Sequence, residues 1–278
     1  MAGPNTTGTP NTEDYNLGRG KLYFSALTAS LPGAWRDMGN CPEFNLSIEV
    51  ETLEHQSSRE GLKVVDKEVT ISQKLTCTFT LDEVNDENLA AIFSGEKASY
   101  TNAAVAGFAS YEAIESVELG RWYEIKDSNG VRAYDIDTAD LDVDNGTDDT
   151  DCVEGTDYTL NLDMGLIFFH SDATGIVAGE AVDLTLTADA GAKEVHEVRG
   201  LTQTGVVGAL KFVSENPANN DKMTEFNFHK ITLKGDGDFS LIGDDWTQMP
   251  FTAAAEKNET ASPDSPTLTI RTVGTAPA

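Results

Sequence analysis

PEFNLSIEVETLEH, residues 42–55, alternates with a period of two: Phe44, Leu46, Ile48 and Val50 fall on one side, and Asn45, Ser47, Glu49 and Glu51 on the other. Successive side chains of a strand point to opposite faces, so this period marks a strand with one face turned to a core. A second stretch, VTISQKLTCTFTL (69–81), sets Val69, Ile71, Leu75, Cys77, Phe79 and Leu81 against Thr70, Ser72, Lys74, Thr76, Thr78 and Thr80. Two such strands around the polar connection HQSSREGLKVVDK (55–67) predict an antiparallel hairpin with an extended tip. Its apolar side is expected to cover the core.

The rest of the chain reads the same way. KLYFSAL (21–27) is a first strand that ends at a Pro32-Gly33 turn. NDENLAAIFSG (85–95) is the one helix: Asn85 caps it, Asp86 and Glu87 meet its positive end, and Gly95 is placed to stop it. RWYEI (121–125), DYTLNLDMGLIFF (157–169), AVDLTLTA (181–188), GALKFVSE (208–215) and TEFNFHKITLKG (224–235) read as strands. In the last of these, Phe226 and Phe228 sit in one register and Ile231 and Leu233 in the opposite one, which predicts a bulge near His229. The expected fold is mainly β, with two packed antiparallel sheets in a sandwich or barrel-like arrangement and one short flanking helix over about 85–94. Residues 1–16 read as a flexible arm, 17–250 as a single β domain, and 251–278 as a C-terminal arm with a last strand at 267–273.

Charge limits the partners. The 278 residues include 47 Asp and Glu against 19 Lys and Arg, a net of −28. A grip on nucleic acid needs clustered cations, so DNA near this chain is tolerated and not held. Three cysteines, Cys41, Cys77 and Cys152, share no metal-ligand spacing and read as reduced thiols of a protein made in the cytoplasm. No secretory signal is visible, and no apolar run approaches the roughly 20 residues that span a bilayer.

Motifs that carry chemistry are scarce. Asp140, Asp142 and Asp144 have the spacing of a calcium loop, but Asn145 stands where the turn glycine belongs, Gly146 comes one residue late, and Asp151 replaces the closing glutamate. The four histidines, His55, His170, His196 and His229, lie in separate segments without zinc spacing. Trp35, Trp122 and Trp246 read as core edges before they read as a sugar-stacking platform. There is no nucleophile elbow, phosphate loop or dinucleotide fingerprint. Neither enzyme chemistry nor a cofactor is expected.

Several stretches, taken in order, resemble the major tail tube proteins of bacteriophages with long, non-contractile tails: GRGKLYF (18–24), MGNCPEFNLSIEVETLEHQSS (38–58), VTISQKLTCTFTLDEVNDENLAAIFSG (69–95), EGTDYTLNLDMGLIFF (154–169) and LKFVSENPANNDKMTEFNFHKITLKGDGDFSLIGDDW (210–246). The resemblance implies a subunit that closes into rings of six copies, its long hairpins joining into one inter-subunit barrel. Stacked rings would make a tube in the virion tail, assembled in the host cytoplasm, through which DNA passes without specific binding. The implied partners are further copies, a tape-measure protein, and tail terminator and tip proteins, with no membrane.

On this reading Asn45, Ser47, Glu49, Glu51, Thr70, Ser72, Lys74, Thr76 and Thr78 face the lumen, and an acid beside Lys74 neutralises it. His55, Arg59, Glu60, Lys63, Asp66 and Lys67 would form a ring-stacking loop. Two other classes compete: an extracellular calcium-binding β-sandwich of the adhesin or surface-layer kind, and a jelly-roll glycan hydrolase.

Overall fold

In the computed structural model, the described residues are 15, 17–57, 61, 63–102, 109–110, 113–127, 129–136, 141–145, 150–186, 193–215 and 223–273. In chain order the elements begin with β1 (Gly20–Thr28), β2 (Leu31–Pro32), β3 (Arg36–Asp37), β4 (Glu43–Ser57), β5 (Val64–Leu81), α1 (Asp86–Ile92) and β6 (Glu96–Asn102). There follow β7 (Ala109–Ser110), β8 (Arg121–Glu124), β9 (Leu141–Asn145), β10 (Thr150–Asp151), β11 (Tyr158–Asn161), β12 (Leu166–Phe169), β13 (Val182–Leu186) and β14 (Lys193–Arg199). The last four are β15 (Val206–Glu215), β16 (Met223–Gly235), β17 (Met249–Ala255) and β18 (Leu268–Val273). The fold is mainly β and antiparallel, with one short helix among the described residues.

Where the sequence reads 17–250 as one domain, the chain divides into two compact units, Met1–Lys97 with Val198–Ala278, and Ala98–Glu197. β6 and β14 pair with each other where the chain leaves the first unit and returns.

The first unit is built on a nine-stranded sheet whose main path runs β2-β1-β15-β16-β17-β5-β4, with β3 against β1 and β18 against β16. The sheet curls on itself. Phe44 on β4 stacks on Phe212 of β15 at 5.1 Å, although three strands lie between β4 and β15 in the order. Phe79 and Phe251 stack at 5.2 Å, and Leu22, Met38, Cys77, Leu81, Leu210, Phe228, Ile231, Leu233 and Met249 complete a closed core. The expected bulge is present: Gly208 pairs with Ile231 but Leu210 with Phe228, so β16 carries one extra residue at His229–Lys230 and both apolar registers reach the same core.

The segment after Met249, expected as a polar arm, supplies two strands. β17 lies between β16 and β5, with Phe251 and Ala253 buried, and β18 falls at the expected last strand. Short, small residues (PFTAAA) hide the apolar alternation of β17.

Helix α1 starts where Asn85 accepts a bond from the Asn88 amide, with Asp86 and Glu87 in its first turn. Gly95 does not end it by a left-handed turn, because Ser94 takes that conformation at φ 46°. Gly95 is required because a Cβ there would collide with the Arg199 carbonyl. Asn88, fully buried, accepts a bond from Arg36 at 2.8 Å and donates to the Met38 and Glu83 carbonyls, fixing the helix to the β3 corner.

The second unit has its own core around Ile125, Val143, Ile167, Phe169, Val182 and Leu184. Its sheets run β10-β9-β13-β7 and β11-β12-β8. DYTLNLDMGLIFF, read as one strand, is the β11–β12 hairpin, turned at Gly165 with φ 59°. Asp157 is its polar knot: the carboxylate accepts from the amides of Val153 (2.9 Å), Thr174 (2.8 Å) and Gly175 (2.8 Å). Burial alone would push its pKa up, but these donors together hold it below the usual carboxylate range.

A carboxyl whose folded pKa is depressed contributes stability above its unfolded pKa, and that stability is lost as pH falls through the folded value. Asp157→Ala is therefore expected to cost the second unit about 2–3 kcal/mol, the scale of lost hydrogen bonds to a charged group. Asp157→Asn should flatten the acid limb of its stability curve below pH 4. Trp122, with Trp35 and Trp246 replaced by Phe, reports thermal unfolding of this unit against pH.

Candidate functional site

The most unusual feature of the first unit is the β4–β5 hairpin. The two strands, 15 and 18 residues long, are paired from Glu43↔Thr80 to Ser57↔Val64. The connection expected as a 13-residue tip is therefore mostly strand. At about 3.3 Å per residue, β4 extends about 50 Å. β17 covers β5 only from Leu81 to Thr76. Beyond that point β4 and β5 form a two-stranded ribbon with both outer edges unpaired among the described residues.

The expected core-facing side is the main correction. Phe44, Leu75, Cys77, Phe79 and Leu81 do pack on the core, but Leu46, Ile48 and Val50 are exposed, Ile48 at 70%. Further along, Leu53 (64% exposed), Val64, Val65, Val69 and Ile71 are exposed as well. Only the base of the hairpin belongs to the core of the first unit. Its remaining apolar surface has no cover among the described residues.

The polar face is largely as the alternation predicts. Asn45 lies opposite Thr78, Ser47 opposite Thr76, Glu49 opposite Lys74 and Glu51 opposite Ser72. Lys74 and Glu49 form an ion pair at 3.4 Å, and the Ser72 hydroxyl donates to Glu51 at 3.0 Å. The pair is solvent-exposed and contributes little to stability. Its effect is to cancel the cation in the near part of this face, which leaves Glu43 and Glu51 as the charges there.

Thr70 departs from this set. A register shift between Glu51 and Thr52 leaves Ile71 as an extra residue and places Thr70 opposite Thr52, on the other face of the ribbon. A second shift after His55 leaves Asp66 extra, bonded to His55, while Lys67 lies opposite His55. Lys63 is exposed beside the ribbon end. Arg59 and Glu60 of the expected stacking loop lie outside the described residues.

A cleft of about 580 Å³ opens beside the ribbon, lined on one side by Ile48, Lys74 and Leu75 and on the other by Lys257, Pro266 and Leu268. It begins where β17 stops covering β5.

The other candidate residues do not gather into a site. Among the described residues no group of three or more His, Cys, Asp or Glu is placed to hold a metal ion. Asp142, Asp144 and Asn145 belong to strand β9, paired with Thr185, Asp183 and Val182, while Asp140 and Gly146 lie outside the described residues. His170 bonds Thr159 at 2.7 Å and His229 bonds Thr269 at 2.8 Å. His196 sits on β14. Burial lowers the His229 pKa, keeping the ring neutral.

Burial also pushes the Cys41 thiol up to about 11 and that of Cys77 to about 12, so neither is a thiolate nucleophile at neutral pH. Trp35 lies under Lys211, Trp122 packs on Phe168, and Trp246 is exposed on the loop after β16. Among the described residues no helix is long and apolar enough to cross a membrane.

Leu53 and Val69 form an apolar surface of their own that the alternation alone does not separate from the near one, although the sequence carries a signal of it. The even-numbered apolar series of β4 stops at Val50 and resumes at Leu53, an odd position. A change of parity inside a strand marks a bulge in the pair.

With exposed apolar side chains and outer edges unpaired among the described residues, the ribbon is open to attack, as is the irregular loop that carries Leu241, Ile242 and Trp246. Limited thermolysin digestion of dilute protein is expected to cut between Leu46 and Ile71 as well as at Leu241 and Ile242. The cutting rate in the ribbon should fall several-fold as protein concentration rises.

The chain belongs to the family described as "Protein of unknown function UCP028589", whose model matches residues 15–267. No curated protein matches it.

Proposed function

We propose that this chain is the self-assembling structural subunit of a bacteriophage tail tube, closing into rings that stack into a conduit for DNA. The observation that supports it most is the ribbon. A two-stranded hairpin is marginally stable alone in water, and one that runs about 33 Å past its last neighbouring strand with bare edges and exposed Leu, Ile and Val is sustained by partners. Closing such ribbons edge to edge into one barrel removes every edge. Copies of the same chain are the simplest partners, because each brings the same edge and the same apolar surface. A tape-measure protein inside the tube, and terminator and tip proteins at its ends, belong to the same reading.

The polar face suits a conduit wall. Duplex DNA carries a charge about every 1.7 Å, and a cationic wall would exchange counterions for a tight, salt-sensitive grip. Carboxylates repel phosphate over about 8 Å at physiological salt. With Lys74 cancelled by Glu49, the face formed by Asn45, Ser47, Glu49, Glu51, Ser72, Thr76 and Thr78 is neutral to negative.

Purified protein is expected to form rings or tubes in electron micrographs, unchanged by chelator. Monomers at all concentrations, or disassembly on adding chelator, would refute the reading. Glu49→Lys with Glu51→Lys is expected to assemble normally but to slow genome ejection, most of all at low salt. Ejection at the unaltered rate would place this face away from the DNA.

A further inference from the structure

The shift at Glu51/Thr52 divides the ribbon's apolar surface in two. On β4, which carries no extra residue there, Leu46, Ile48 and Val50 share one face, and Leu53 falls on the opposite face. Leu53 pairs with Val69, and further out Val64, opposite Ser57, shares the face of Leu53. All of these side chains are exposed. The near part of the ribbon is thus apolar on one face and polar on the other. In the far part the face continuous with Asn45, Ser47, Glu49 and Glu51 turns apolar.

Resting on the assembly reading above, we propose that Leu53, Val69 and Val64 form the contact by which one layer of copies stacks on the next, whereas Leu46, Ile48 and Val50 join copies within a layer. Copies in one layer meet edge to edge, with the near apolar face turned to the bodies of neighbours. The far apolar face lies on the side of the conduit wall, where a layer has no body of its own. Another copy, from the adjoining layer, is the cover that fits.

Charge favours the same occupant. The chain carries −28, so two copies repel over most of their surface. The far segment is nearly balanced, with Glu54, Glu60, Asp66 and Glu68 against Arg59, Lys63 and Lys67. Asp66 is already paired with His55. This is a place where a second copy approaches an apolar surface without the general repulsion.

The test compares two variants by sedimentation velocity and negative-stain microscopy. L53T/V69T keeps strand-forming side chains and removes the far surface; L46T/I48T/V50T removes the near one. The far variant is expected to stop at a discrete single-layer oligomer, and the near variant at the monomer. Far-variant tubes as long as wild type, or both variants halted at the same species, would overturn the proposal while leaving the assembly reading intact. Wild type that stays monomeric would overturn the assembly reading, and this proposal with it.

L53C guards against misfolding of the far variant, because it retains an apolar side chain. In assembled L53C, a short bismaleimide is expected to link copies into dimers that disappear when growth is limited to single layers. L53C tubes that yield no more cross-linked dimer than wild-type tubes would contradict stacking through this surface.

Discussion

Every β-strand has two hydrogen-bonding edges and two faces, and water is a poor partner for an apolar face. The first unit meets that constraint at its centre, where β15, β16 and β17 have neighbours on both sides and the sheet curls until Phe44 meets Phe212. It leaves the constraint unmet along β4 and the far part of β5. The completed core and the open ribbon are parts of one sheet. A packed base formed by Phe44, Cys77, Phe79 and Phe251 holds the ribbon in place, and the ribbon presents apolar surface that is exposed among the described residues.

Much of this was legible in the sequence because strand periodicity is local. The alternation of β1, β4, β5 and β16, the cap at Asn85 and the bulge near His229 each follow from a few adjacent residues. The pairing of Glu49 with Lys74 also follows from the hairpin register. Burial does not. Leu46, Ile48 and Val50 alternate as well as any core strand, yet only a partner strand or body decides whether such a face is covered, and that is a non-local fact. β17 escaped notice for the converse reason. Ala253, Ala254 and Ala255 give little periodic contrast, although the position between β16 and β5 is central.

The division into two units was likewise invisible in periodicity, since strands of both units share the same pattern. Its physical sign is the pairing of β6 with β14, which brings the two ends of the inserted segment together. The acidic run from Asp135 to Asp157 belongs wholly to the inserted unit. There β9 and the Asp157 knot use parts of it for sheet pairing and for tying loops. Carboxylates that suggest a cation loop by spacing can instead occupy alternate positions of a paired strand, as Asp142 and Asp144 do on β9.

On the proposed reading, other copies close the open edges of β4 and of residues 64–75. Hydrogen–deuterium exchange followed from dilute to concentrated protein tests it most directly. Amides of β15 and β16 should be protected throughout, while a set of β4 and β5 amides should exchange freely when dilute and gain at least tenfold protection as particles grow. Particles that grow while these amides continue to exchange as in the single subunit would contradict the account.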